Sequence, residues 1–252
     1  MKLLLTNDDG IYGQGILELT DVLKQKQHDI IVVAPDRERS ATGHSITLHK
    51  PLRVTEVELD KIRDVSCYKI NGTPADCVKI GLEKLTEYRP DFIISGINNG
   101  PNLGYDVLYS GTVSAAIEGF MMGYNAMAVS LVTDMYKNFK ETAYKINEIL
   151  EKIDLNKCNK KYLLNVNVPD KKKLINTNIK LTTLGKSIYK DFFEERVDPA
   201  GNKYYWLTGK REEKVKEGTD LWAINHKNVS LTPLKINLTD KEICNNLKNS
   251  FN

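Results

Sequence analysis

Lys2-Leu3-Leu4-Leu5-Thr6-Asn7-Asp8-Asp9-Gly10 is an apolar run that ends in two adjacent carboxylates and a glycine. A short run that is apolar at every position suits a strand buried on both faces, as in a parallel sheet. Gly10 permits a sharp turn as the chain leaves that strand. Asp8 and Asp9 would then stand at its carboxyl end, the edge where open α/β sheets place their ligands. Neighbouring carboxylates repel and raise each other's pKa unless a cation or hydrogen-bond donors hold them. A hard divalent ion such as Mg²⁺ or Mn²⁺ is the natural occupant, since it prefers oxygen ligands. The plainer reading is a turn or a helix cap. The three residues alone leave both readings open.

Working outward, Ile16, Leu19 and Leu23 recur at helical spacing, which predicts an amphipathic helix over about 15–26. Ile30-Ile31-Val32-Val33-Ala34-Pro35 follows as a second buried strand. Strand, helix and strand in succession make a βαβ unit with a right-handed parallel crossover. The polar stretch Asp36 to Ser45 leaves the same sheet edge as Asp8 and carries Ser40 and His44. Alternation between Ser45 and Ile70 predicts short antiparallel strands. Thr73-Pro74 has the form of a helix cap followed by a first-turn proline. Phe92-Ile93-Ile94-Ser95-Gly96 reads as a third buried strand. It runs into the Gly/Asn-rich loop that holds Asn98, Asn99 and Asn102. Amide oxygens there can complete a hard-cation shell, or the loop can be a plain turn-rich connection. Ser110-Gly111-Thr112 precedes a helix rich in small residues, and such a start can bind phosphate or be an ordinary cap.

Beyond 155 the expected elements are strands at 163–169 and 179–184, then a hairpin at about 190–208 around Asp198-Pro199-Ala200-Gly201-Asn202. Further strands are expected at 219–223 and 229–234, and a terminal helix at about 241–248. The hairpin's aromatics need a partner surface, either on this chain or on a neighbouring subunit. The organisation is a core over 1–155 and a C-terminal part over 156–252 that partly completes it. The fold class is α/β: a Rossmann-like three-layer core with a mostly parallel sheet, a C-terminal hairpin arm and a terminal helix.

A net charge of +3 over 252 residues makes no case for a nucleic-acid polymer or a membrane surface. Cys67, Cys77, Cys158 and Cys244 are scattered without metal-site spacing, which fits a reduced chain. No leader pattern and no run of membrane-spanning length occurs in the sequence, so a cytoplasmic location is expected. Asp8, Asp9, Ser40 and Asn98, with Ser110-Gly111-Thr112, gather a hard-cation site and a phosphate cradle on one sheet edge. Phosphoryl transfer or phosphate-ester hydrolysis needs that pairing.

The strings LLLTNDDGIYGQGI, VVAPDRERSATGHSIT, NGTPADCVKIGL, SGINNGPNLGYDVLYSGTVSAAIEG, NVNVP, ERVDPAGNKYYWL, GTDLWAI and VSLTPL together resemble the SurE family (survival protein E, 5′/3′-nucleotidases). The resemblance runs in order from the first residues to about 240. It implies a Rossmann-like core and a C-terminal extension exchanged between subunits, giving homodimers or tetramers. It also implies hydrolysis of nucleoside monophosphates with one divalent metal ion per subunit. By the same resemblance the metal ligands are Asp8, Asp9, Ser40 and Asn98, and the phosphate side is Asn98, Asn102, Ser110, Gly111 and Thr112. A second role, orienting or deprotonating water, is expected of Asp8 or Asp9. The family commonly has histidine and, two residues on, aspartate after Thr-Pro-Leu; here they are Lys235 and Asn237. This departure touches C-terminal packing and leaves the metal ligands intact. Rival readings are a haloacid-dehalogenase-like phosphatase and a non-catalytic nucleotide sensor. The first expects Asp-x-Asp after strand one, where this chain has adjacent acids. A dinucleotide-binding oxidoreductase lacks its Gly-x-Gly-x-x-Gly here.

Overall fold

The computed structural model describes residues 1–133, 135–155, 157 and 160–251, with the backbone alone at 187–192, 209–214 and 249–250; Cys158 lies outside the described residues. In chain order the elements are β1 (Lys2–Thr6), α1 (Gln14–Gln25), β2 (Asp29–Pro35), β3 (Val54–Glu56), β4 (Ser66–Ile70) and α2 (Pro74–Ile80). There follow β5 (Phe92–Asn99), α3 (Gly111–Met121), β6 (Asn125–Val132), α4 (Phe139–Lys152), β7 (Leu163–Pro169) and β8 (Ile179–Leu181). The chain closes with β9 (Lys186–Val197), β10 (Lys203–Lys214), α5 (Asp220–Asn225), β11 (Val229–Pro233) and α6 (Lys241–Phe251).

Nine strands form one sheet in the order β3-β4-β2-β1-β5-β6-β7-β11-β8. The pairs from β4 to β7 are all parallel. β3 runs antiparallel to β4, and β11 runs antiparallel to β7. The chain steps from β1 outward through β2 to β4, then returns to the other side of β1 at β5. The strand order therefore reverses between the parallel neighbours β1 and β5. Residues alternate along β1: Leu3 and Leu5 pack with Ile16, Leu19 and Leu23 of α1 and with Ile146 and Leu150 of α4. Leu4 packs on the opposite face with Val113, Ala115 and Ala116 of α3. Helices on both faces make the three-layer α/β architecture.

Local chemistry accounts for the boundaries. Thr73 Oγ1 accepts from Asp76 N at 3.1 Å while Asp76 Oδ2 accepts from Thr73 N at 2.9 Å, a reciprocal cap that starts α2 at Pro74. Four expectations are corrected. Residues 219–223 form the start of α5, not a strand, because Thr219 Oγ1 accepts from Trp222 N and so caps a helix whose Leu221 and Ile224 face inward. Between Ser45 and Ile70 only β3 and β4 pair antiparallel; β4 itself runs parallel to β2, and Ile46 and Leu48 are exposed. The strand expected to reach 184 ends at Leu181. The hairpin spans Lys186 to Lys214, longer than the expected arm, because its pairing continues without a break from Val197–Lys203 back to Lys186–Lys214.

Asp220 joins the C-terminal part to the core. It is fully buried, and its carboxylate accepts from the amides of Gly104 at 2.8 Å, Gly185 at 2.7 Å and Leu221 at 2.8 Å. Asp220→Ala leaves these buried donors unpaired. We expect it to lower unfolding free energy by about 3 kcal/mol, read as a shift of the urea midpoint. Asp220→Asn, which still accepts, should lose less.

Candidate metal and phosphate site

Thr6, the last residue of β1, is the register partner of Ser95, and β5 runs on from there to Asn99, so the loops that follow the two neighbouring strands leave the same edge of the sheet at its switch point. The loop after β1 is built by Asn7, which is fully buried. Asn7 Nδ2 donates to Gly10 O at 2.9 Å, and Gly10 N donates back to Asn7 Oδ1 at 3.1 Å. Gly10 has φ +95°, a backbone conformation that a side chain would strain. Asp8 and Asp9 are thereby held at the tip of a closed turn.

Asp8 is only 4% exposed. Thr112 Oγ1 donates to Asp8 Oδ1 at 2.5 Å, across 104 residues of sequence. The Thr112 backbone amide also donates to Asp8. The carboxylate therefore sits on the first turn of α3, where the helix dipole favours negative charge. Gly111 makes that approach possible: a Cβ there would lie 2.9 Å from Asp8 Cβ and Oδ2. Ser110 Oγ accepts from Val113 N at 3.1 Å and caps the helix. Arg39 N donates to the Asp8 carbonyl at 2.7 Å, which ties the loop carrying Ser40 to the loop carrying Asp8.

Asn98 Nδ2 donates to Gly100 O at 2.9 Å, leaving its Oδ1 as the side-chain atom for a cation. Asn102 is buried, with its Nδ2, backbone amide and carbonyl all engaged. Its Nδ2 donates to Ser130 Oγ at 2.8 Å, its amide to Asn167 Oδ1 at 2.9 Å, and its carbonyl accepts from the side chains of Asn165 and Asn167. Asp8, Asp9, Ser40, Asn98, Asn102 and Ser110 line one cleft of about 1080 Å³. Gly111 and Thr112 are buried and are not part of that lining.

Two aspartates, a serine hydroxyl and an asparagine amide are an all-oxygen donor set, which fits a hard divalent ion and not a soft one. Among the described residues no three His, Cys, Asp or Glu side chains gather as a metal group, so the fit rests on this mixed set. Glu38 is a charged cleft residue that sequence reasoning missed, as it missed Tyr105 and Tyr109 in the same lining. Glu38 accepts from Ser40 Oγ at 2.7 Å, and its charge pushes up both Asp8 and Asp9. Its only signal was its place in the polar loop on the same edge. His44 pairs instead with Glu118 Oε2 at 2.8 Å.

Burial pushes the Asp8 carboxyl up, against the lowering effect of Thr112. Burial and then the Asp8 charge push Asp9 up to about 6. A carboxyl raised in the folded state holds its proton longer there than when unfolded. Stability without metal therefore falls as pH rises from about 4 through about 6. In EDTA at pH 7, Asp9→Asn should be more stable than the wild type by about 1–2 kcal/mol, reduced from the full shift because Asp9 is only half-buried. The difference should vanish near pH 4, as read by thermal melts across pH. A less stable variant at pH 7 would contradict the strained pair.

Residues 3–191 match the family model described as survival protein SurE. The chain is 49% identical over 244 residues to a protein named 5′-nucleotidase SurE from Caldanaerobacter subterraneus subsp. tengcongensis, covering 96% of this chain and 94% of that one. It is 48% identical over 250 residues to one of the same name from Pelotomaculum thermopropionicum, covering 98% and 94%. The crystal structure of the SurE protein from Aquifex aeolicus superposes over the whole of both chains, with a TM-score of 0.86 at 38% identity. With the acids after β1, the asparagine at the end of β5 and the α3 start converging on one cleft, the chain belongs to the survival protein SurE family.

Proposed function

We propose that this chain is a divalent-metal-dependent phosphatase that hydrolyses nucleoside 5′-monophosphates to nucleoside and phosphate, with 3′-monophosphates and short polyphosphate as further substrates. The observation that carries this reading is the all-oxygen cluster of Asp8, Asp9, Ser40 and Asn98 set against the start of α3 in one open cleft. The name 5′-nucleotidase carried by relatives nearly half identical supports it.

Asp8, Asp9, Ser40 and Asn98 would hold one Mg²⁺ or Mn²⁺ ion. Such an ion supplies charge neutralisation at the phosphate and a lower pKa for water. Ser110, the α3 amide at Gly111 and Asn102 form the phosphate side, where backbone donors favour the charge that builds on the phosphoryl oxygens. In the reaction a water oxygen bonds to phosphorus as the ester P–O bond breaks. The nucleoside leaves with a proton as an alcohol. Asp9, the more exposed of the pair, faces the cleft and is placed to orient that water and take its proton. Thr112 differs from its neighbours, because both its hydroxyl and its amide are spent on Asp8. We assign it the task of positioning that ligand.

A cytoplasmic homodimer or tetramer, associating through the arm at about 190–208, completes the proposal. It is supported by Phe193 and Trp206, which stand 68% and 58% exposed on the hairpin and belong to none of the core clusters among the described residues. Among the described residues no helix is long and apolar enough to cross a membrane.

Phosphate release from nucleoside monophosphates should stop in EDTA and return with Mg²⁺ or Mn²⁺. Asp8→Asn should lower kcat by on the order of 10²–10⁴. Metal-independent release would overturn the reading. Thr112→Val should weaken Mn²⁺ binding by about 10- to 100-fold, read by electron paramagnetic resonance without substrate, while Thr112→Ser, which keeps the hydroxyl, should bind close to the wild type. Unchanged Mn²⁺ affinity with weakened nucleotide binding would return Thr112 to the phosphate side.

A further inference from the structure

The proposed metal and phosphate groups use the charged part of the cleft and leave an aromatic part unexplained. Tyr105 and Tyr109 line the same cleft as Asp8 and Asn98, together with Pro101 and with Leu207 of β10. Tyr105 is 48% exposed and Tyr109 is 71% exposed, so neither ring is used to fill the core. Their backbone, by contrast, is held firmly. A 3₁₀ turn spans Gly104–Leu108, its first amide is bound by Asp220, and Tyr109 N donates to Asp106 O at 3.0 Å. Gly43 N donates to Tyr109 O at 3.2 Å, which fixes the turn to the loop that carries Ser40. Two exposed rings on a pinned turn beside a polar site form a preorganised stacking surface.

Size points the same way. A cleft of about 1080 Å³ is far larger than a phosphate group needs and matches a site for a whole small organic ligand. We infer that Tyr105 and Tyr109 form the wall that receives the nucleobase, with the phosphate end at Asp8, Asp9 and Ser110 and the ribose between. This rests on the phosphatase reading above. Neither tyrosine touches the reacting atoms in this arrangement. Both select substrates by binding the part of the molecule farthest from the bond that breaks.

The test compares adenosine 5′-monophosphate with ribose 5-phosphate, which has the same phosphate and sugar without the base. The quantity read is the ratio of their kcat/KM values in the wild type, in Tyr105→Ala and Tyr109→Ala, and in the two Phe variants. Loss of a stacking partner should lower the ratio at least about fivefold in each alanine variant, chiefly through KM for the nucleotide. The Phe variants, which keep the ring, should hold the wild-type ratio. A ratio unchanged by both alanine substitutions, or one that falls equally in the Phe variants, overturns the wall. If the wild type hydrolyses neither compound, the phosphatase reading falls, and calorimetric binding of the same two compounds decides the wall. Tighter binding of the nucleotide that is lost in the alanine variants keeps it, and no preference in the wild type removes it.

Discussion

A carboxylate with almost no solvent contact must be held by something, and Asp8 is held by the first turn of α3. The Thr112 hydroxyl at 2.5 Å and its amide take the place of water on that charge. Burying an ion without such partners costs several kcal/mol. Much of the site's local construction serves this contact. Gly111 has no Cβ, so the helix can come close enough. Asn7 closes the turn that aims Asp8 inward. Arg39 brings the Ser40 loop to the Asp8 carbonyl. The result is a carboxyl group fixed in place before any ligand arrives, with Asp9 beside it pushed up by burial and then by Asp8.

The topology explains why these groups meet at all. Parallel strands joined by right-handed crossovers put their following loops on one edge. Where the strand order turns back between β1 and β5, neighbouring connections go to opposite faces of the sheet and leave a crevice. Asp8 and Asp9 follow β1, and Asn98 ends β5. The α3 helix, which follows β5, then brings Ser110 to the same crevice and Thr112 onto Asp8. No long-range recognition is needed to gather the donors once the sheet has formed.

That part was legible because it is written in local patterns. Unbroken apolar runs marked β1, β2 and β5, and the acids and amides lay directly beyond them. Thr73-Pro74 announced the start of α2 by capping chemistry alone. What the sequence hid were bonds between segments far apart. Asp220 looked like part of a strand because it heads the short unbroken apolar run Leu221-Trp222-Ala223-Ile224. Its role shows only when Gly104 and Gly185 are seen around it. Glu38 lay in a loop where any acid would pass for a surface group. Thr112 stood beside Ser110 in one motif, yet the two hydroxyls have separate tasks, one spent on a carboxylate and the other on a helix cap.

The same long-range bonds bear on how the chain is divided. Asn102 belongs to the cleft, but its backbone is clasped by Asn165 and Asn167 of β7. The turn that carries Tyr105 is clasped by Asp220 of α5. Both anchors come from beyond residue 155, and β7 and β11 extend the very sheet that β1 begins. The loop between β5 and α3 is held both by these hydrogen bonds and by Leu103 and Val107, which are buried in the core clusters. A core cut at 155 would keep the acids but lose the clasps on the loops that face them, and groups left to move by an ångström bind a cation and a phosphate poorly. In this chain the C-terminal part therefore holds the loops of the cleft as well as extending the sheet.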